Sequence, residues 1–403
     1  MNPSIVEVKK QNAKNILMEI LLNKDISRIE LSNKLGISPA TVALIVNELV
    51  QKELIIETSK KSSSVGRKAR LIRINEKAYG ILAVRIRHST IYMRLCDING
   101  HIKASQDAVI DMVIRNGNAT RVVNAIVDVI TNFLSMNADE SEKVMAMTLI
   151  VPGIVSADNT IDWLEANWKQ LPLAGAIQYS IGIPVFVDIA LRIQGQYEMR
   201  FLPDDLRNKS VVFLSLEPGI GLAYYIDGKI VQGRNNMFGE IGHVSLDENG
   251  PTCYCGNKGC FELYCEKLHI LERLNNLLSE ERSCSIFRTV VEQNGGQVTL
   301  DAAYQAFRMG SVRVQEILLE TANYLGRALL IIRNMLDPNC IILFGDLVTI
   351  DQYVLQTALM LMRERVPTRA RNEPNIQIAK LPLSEFETSV CLYTFENMLD
   401  QIL

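Results

Sequence analysis

The chain has 403 residues, 48% of them hydrophobic, 22% charged and 6% aromatic, which suits two or three folded domains and excludes a disordered, collagen-like or low-complexity protein. No apolar run reaches the roughly 18 residues of a membrane-spanning helix, the first residues lack the basic-then-apolar order of a secretory signal, and eight cysteines are too few for a disulfide framework, so the expected setting is a reducing cytoplasm with no membrane. Residues 1–75 hold 13 Lys+Arg against 7 Asp+Glu, a net of +6 that leaves −9 on the remainder of a chain whose total is −3, and a basic head on an acidic body points to nucleic acid for the head alone.

Residues 11–57 read as helices, with Ile16, Leu17, Ile20 and Leu21 at helical spacing. Ser27-Arg28-Ile29-Glu30 has the form of a capping box, in which each of the two end residues bonds the other's backbone. The helix it starts carries Ile29, Leu31 and Leu35 and stops at Gly36. Ser38-Pro39 starts a third helix, since proline's missing N–H costs nothing in a first turn, and Val42, Ile45 and Leu49 form its buried stripe. Two short helices joined at Gly36-Ile37 make a helix-turn-helix. The basic, β-branched stretch 55–74 reads as a hairpin wing, with residues 62–66 as its tip or as a loop. The body begins near Tyr79 with an alternating hairpin (Ile81, Ala83, Ile86, Ile91) and a turn at Asp97-Ile98-Asn99-Gly100. Helices over 119–135, 191–201 and 312–336 and strands over 144–151, 184–187, 211–216, 222–226 and 340–344 then predict α/β layers.

In a helix-turn-helix the second helix presents its N-terminal residues to base edges in the major groove. Its outward positions here are Ser38, Ala40, Thr41, Ala43, Leu44 and Asn47, an uncharged face that offers hydroxyl, amide and methyl contacts but no arginine fork for guanine. Gly66, Arg67 and Lys68 at the wing tip suit the minor groove, with Lys60, Lys61, Arg70 and Arg73 along the flanks near phosphates. The competing reading is a protein-interaction module with a solvated basic face.

His243, Cys253, Cys255 and Cys260 form an H-x9-C-x-C-x4-C pattern. Three thiolates and one imidazole complete a tetrahedral set for one structural Zn²⁺ per chain, with no open position for catalysis. Gly256 and Gly259 let the loop close tightly enough for Cys255 and Cys260 to meet. The alternative is a group of buried free thiols beside a core histidine.

These features together resemble transcriptional regulators of the ROK family (repressor, open reading frame, kinase), the branch that includes N-acetylglucosamine and xylose repressors. The resemblance rests above all on Gly239-Glu240-Ile241-Gly242-His243 followed by Cys253-Tyr254-Cys255-Gly256-Asn257-Lys258-Gly259-Cys260, and it covers the whole chain. At the wing, Ala69 follows Gly66-Arg67-Lys68 where the family usually has proline. The resemblance implies an α/β fold: a winged helix-turn-helix at 1–76 ahead of a two-lobed, actin-like, sugar-kinase-like body. The first lobe is expected at 77–190, with the final helix of 384–403 packed back on it, and the second at 191–383 with the zinc loop and an oligomerisation surface.

Measured against the enzymatic members that the resemblance brings to mind, the phosphate-binding positions are altered. The Asp-x-Gly-x-Thr turn is replaced by Arg85-Ile86-Arg87-His88-Ser89, the second phosphate turn reads Glu217-Pro218-Gly219, and the late glycine pair reads Phe344-Gly345-Asp346. Ala190 stands at the position of the catalytic aspartate, and a methyl group cannot take a proton. The chain is therefore expected to be no enzyme and to need neither ATP nor Mg²⁺; the alternative is a ROK sugar kinase with an added head. Carried over by motif position, Glu240, His243 and Glu262 are the candidates for a sugar-like effector, joined by Glu165, which stands where the family has asparagine, and by Asn167 as a compensating neighbour; the competing reading is a retired pocket in which Glu240 and Glu262 only brace the metal loop. The expected protein is a repressor of carbohydrate genes that binds a palindromic operator as a homo-dimer or tetramer, under a sugar effector or a protein partner.

Overall fold

The computed structural model describes residues 5–23, 25–59, 70–77, 79–87, 89–110, 118–141, 144–164, 166–279, 285–366, 374–380 and 386–402. Two compact units divide the chain: Met1–Val151 with Leu171–Asp188 and Leu383–Leu403, and Pro152–Gln170 with Ile189–Pro382.

The first unit opens with a winged helix-turn-helix. Helices α1 (Ile5–Asn23), α2 (Arg28–Leu35) and α3 (Pro39–Gln51) sit with a three-stranded sheet in the order β1 (Ile26–Ser27), β3 (Arg70–Ile74), β2 (Ile55–Ser59). The capping box forms as its sequence predicts: the Glu30 N–H donates to Ser27 Oγ at 3.3 Å and the Ser27 N–H donates to Glu30 Oε2 at 2.8 Å. Gly36 ends α2 at φ +63°, a left-handed conformation that costs glycine little. Ser38 caps α3 with Pro39 in its first turn. Val42, Ile45 and Leu49 are buried, whereas Ile29 is 71% exposed. A two-turn helix has one buried side, here taken by Leu31 and Ser32, and Ile29 falls outside it.

The first body sheet has the order β11-β7-β4-β5-β6, with an antiparallel meander of β4 (Gly80–Arg87), β5 (Thr90–Asp97) and β6 (Ile102–Val109). β7 (Val144–Ile150) lies parallel to β4, and β11 (Val185–Asp188) parallel to β7. In the second unit the order β14-β13-β12-β15-β16 repeats this plan. β12 (Val211–Ser215), β13 (Gly221–Ile226) and β14 (Lys229–Ile230) form the meander, and β15 (Cys340–Phe344) and β16 (Asn375–Ile378) add in parallel. The central β12 and β15 are nearly unbroken apolar runs, as strands covered on both faces must be. The duplicated topology escapes the sequence because no residues repeat with it.

The stretch 152–170 folds with the second unit rather than with the first lobe. Its small sheet of β8 (Ile154–Val155), β9 (Ile161–Trp163) and β10 (Trp168–Leu171) packs Trp163 edge-on against Trp168, and the Val155 carbonyl accepts from Asn236 Nδ2 at 3.0 Å.

The C-terminal helix, Phe386–Ile402, packs within the first unit. Cys391, Phe395 and Leu399 join one apolar cluster with Ile81, Cys96 and Ile98 of the body and with Ile16, Leu17, Ile20, Leu31, Val42 and Ile45 of the head. The Thr148 and Thr394 hydroxyls bond at 2.7 Å in a buried position, and the Tyr393 hydroxyl donates to Asp188 Oδ2 at 3.1 Å. Head and first sheet thus share one core. Phe395→Ala is expected to destabilise this unit by about 3–5 kcal/mol in urea unfolding, with faster amide exchange in α1 as well as in the C-terminal helix; a loss confined to the C-terminal helix would contradict a shared core.

Candidate functional site

The candidate reading face of the head lies on α3. Ser38, Ala40, Leu44 and Asn47 are exposed, Leu44 by 54%, while Thr41 is half-buried. Ser38 and Thr41 hydroxyls bond each other at 2.8 Å, and the Thr41 N–H donates to Ser38 Oγ at 3.2 Å. Gly66, Arg67 and Lys68, with Lys60 and Lys61, lie outside the described residues.

Arg28, which sequence reasoning missed, sits on this face. Its Nη2 donates to Asn47 Oδ1 at 2.8 Å and to Glu57 Oε1 at 2.6 Å, tying α2 to α3 and to the wing. Arg70 reaches the other Glu57 oxygen at 3.0 Å, and Arg73 bonds both oxygens of Asp25. Burial pushes the Glu57 carboxyl up, but the bonds from Arg28 and Arg70 outweigh it and hold the group below the usual range. The only sequence signal for Arg28 is its place just after the Ser27 cap; its neighbours Asn47 and Glu57 emerge from the fold.

The second candidate centre lies in the second unit. A tight turn carries Cys253 to Cys260: the Cys253 N–H donates to the Asn257 carbonyl at 2.8 Å and the Gly256 N–H to the Cys253 carbonyl at 3.0 Å. A short bridge from Ser245 to Cys260 brings this turn back beside the 3₁₀ turn Ile241–His243. Gly259 is at φ +59°, and a Cβ there would stand 1.8 Å from the Asp247 carbonyl oxygen, so no other residue fits. Asp247 itself accepts from the Tyr264 and Tyr324 hydroxyls at 3.3 and 3.1 Å, and those two rings stack 3.5 Å apart.

The arrangement brings together the four residues singled out as ligands. One donor atom from each of His243, Cys253, Cys255 and Cys260 lies within 4.8 Å of every other. Cys255 and Cys260 sulfurs are 3.6 Å apart and His243 Nδ1 is 3.7 Å from Cys253 Sγ. Two sulfurs bound to a tetrahedral zinc at about 2.3 Å stand roughly 3.8 Å apart, so the spacing fits such an ion. Glu262, 1% exposed, places Oε1 3.1 Å from His243 Nδ1 and 3.0 Å from Cys253 Sγ, directly beside the donor set. That contact leads the forces that raise the His243 pKa. The other ring nitrogen, Nε2, lies 3.1 Å from the Tyr254 hydroxyl. Burial pushes the Cys260 thiol up to about 11, whereas the Asn257 backbone and the neighbouring thiols outweigh burial at Cys255 and bring it down.

Of the residues singled out for an effector, Glu240 opens the 3₁₀ turn, and desolvation raises its carboxyl against the pull of His243 and Arg192. Asn167 is exposed at φ +54°. Glu165 lies outside the described residues. Ala190 begins the helix Ala190–Phe201, and Asp188 is held by Tyr393. At two of the turns compared above with phosphate-binding positions, Glu217 Oε1 accepts the Asp346 backbone N–H at 3.3 Å, and the Asp346 side chain pairs with Lys267.

No described helix is long and apolar enough to cross a membrane. The model for winged helix-turn-helix DNA-binding matches residues 10–56, and the ROK family model matches residues 81–388. The chain is 27% identical over 398 residues to the xylose repressor of Bacillus subtilis (strain 168), covering 98% of this chain and 97% of that one. It is 24% identical to the DNA-binding transcriptional repressor Mlc of Escherichia coli (strain K12), covering 85% and 82%. Among solved structures it is similar to a ROK family transcriptional regulator that is a homolog of the E. coli Mlc protein (TM-score 0.78, 23% identity, 98% of each chain). It is also similar to a ROK family glucokinase from Streptomyces griseus (TM-score 0.61, 20% identity, 78% of this chain and 98% of that one).

Cys255→Ser is expected to abolish stoichiometric metal in the purified protein, and Gly259→Ala to lower it together with Tm; elemental analysis with thermal unfolding reads both, and equal near-zero metal in wild type and Cys255→Ser would remove the site. With the ROK model spanning most of the body and the winged-helix model matching the head, the chain belongs to the ROK family.

Proposed function

We propose that this protein is a sequence-specific DNA-binding transcriptional regulator, a repressor of carbohydrate-utilisation genes, whose body has given up phosphoryl transfer. One pairing carries the reading: a winged head with an exposed, uncharged reading helix stands in the same chain as a kinase-like body whose phosphate turns hold Arg85, Arg87, Glu217 and Asp346. Phosphoryl transfer depends on positioned backbone donors, metal and a base. The bond from Asp346 N–H to Glu217 and the methyl group of Ala190 remove two of these requirements.

In this reading α3 enters the major groove, where Ser38, Thr41 and Asn47 offer hydrogen bonds and Ala40 and Leu44 offer methyl contacts to thymine. Gly66, Arg67 and Lys68 follow the wing into the minor groove, and Arg28 fixes the amide of Asn47. Zinc at His243, Cys253, Cys255 and Cys260 would hold the loop that carries Glu240, His243 and Glu262. Those residues, with Asn167 and Glu165, are the candidates for hydroxyl groups of a sugar-like effector. A homo-oligomer in the cytoplasm would present two heads to a palindromic operator, and effector binding would act by favouring one arrangement of the heads over another.

Gel shift of the full chain on its own upstream DNA tests the first part. Asn47→Ala is expected to weaken specific binding by about 1–3 kcal/mol, whereas Arg67→Ala should reduce the salt slope by about one. Binding indifferent to salt would contradict phosphate contacts. A coupled ATPase assay over a panel of hexoses tests the second part: turnover is expected at background, and robust sugar-dependent turnover would overturn the loss of catalysis.

A further inference from the structure

The first unit contains a cavity of about 180 Å³ that neither the reading helix nor the metal loop uses. Arg85 and Arg87 lie two residues apart on β4 and so project from one face of the sheet. Tyr92 and Arg94 line the same cavity from β5, where they pair with Arg85 and Ala83. Phe386 and Glu387, in the first turn of the C-terminal helix, complete the wall.

The charges here are unevenly matched. All three arginines are half-buried. Arg94 pairs with Asp107 at 2.6 Å, and the Arg85 guanidinium lies 4.7 Å from the centre of the Phe386 ring. Arg87 has no hydrogen bond or ion pair among the described residues. Among the described residues, Glu387 in the wall and Asp107 beside Arg94 are the carboxylates set near the three guanidinium groups. Partly desolvated like charges repel one another more than they would in water, and an anion between them would offset that repulsion. The helix N-terminus beside them adds partial positive charge.

We propose that this cavity binds the phosphate group of a small phosphate monoester. Guanidinium forks match phosphate oxygens in pairs, and the Tyr92 and Phe386 rings give apolar walls for the carbon part of the ester. The volume admits a small molecule and excludes a macromolecule. The site binds through side chains on a sheet face, and it requires neither an operator nor a sugar effector.

The test is calorimetric titration of the full-length protein, in phosphate-free buffer at constant ionic strength, with inorganic phosphate, glycerol 3-phosphate, glycerol and sodium chloride. Saturable binding of both phosphate compounds is expected, tighter for the ester, with none for glycerol or chloride. Arg87→Gln and Arg85→Gln should each weaken binding about tenfold or more, and Arg85→Lys should weaken it less. Unchanged circular dichroism and metal content would establish that these variants fold. Absence of glycerol 3-phosphate binding, equal affinity in wild type and folded Arg87→Gln, or an equal response to chloride would each overturn the proposal. Inorganic phosphate binding as tightly as the ester would overturn the assignment to a monoester. Gel shift of the same variants is read separately, so failure here and failure of operator binding are told apart.

Discussion

One apolar cluster of the first unit brings residues of α1 together with residues of the C-terminal helix. The stripe of α1, the buried sides of α2 and α3, residues of β4 and β5 in the first body sheet and the C-terminal helix all withdraw surface from water at the same place. Burial of this kind is non-directional but costly to undo, because a close-packed interior cannot lose one wall without exposing the others. The DNA-reading head is therefore not a bead on a flexible string. Displacement of the C-terminal helix exposes apolar surface on the head and on the body sheet together, so each is sensitive to the state of the other.

The second unit obeys a different constraint. Its cysteine loop is held by backbone turn bonds and two short bridges, by close backbone approach at Gly259, and by Asp247 between two stacked tyrosines, and it gathers four donor atoms around one point. Three thiols and an imidazole held this close match the donor set of a tetrahedral ion. Glu262, buried beside them, couples the ligand set to the helical core below it.

What could be read from the sequence was local. Ser27 with Glu30, Ser38 with Pro39 and the glycine at 36 each announce a helix boundary through bonds made within a few residues, and the ligand pattern from His243 to Cys260 is compact enough to be seen as text. Distant pairings were not legible. Nothing near Arg28 says that it will meet Asn47 and Glu57, and nothing near Glu217 says that its carboxylate will cap Asp346. The membership of 152–170 in the second unit and the shared plan of the two sheets are likewise products of topology. Ile29 shows the converse: helical periodicity across only two turns leaves the buried side ambiguous, and the neighbouring elements decide it.

The same cluster also bears on the order in which its walls are made. Residues 386–402 are synthesised long after residues 5–74, yet they seal part of the surface against which those earlier residues rest. Until they are made, α1 to α3 lie against an unfinished wall, with apolar surface left open to water. The head therefore reaches its final packing only after most of the body has been made.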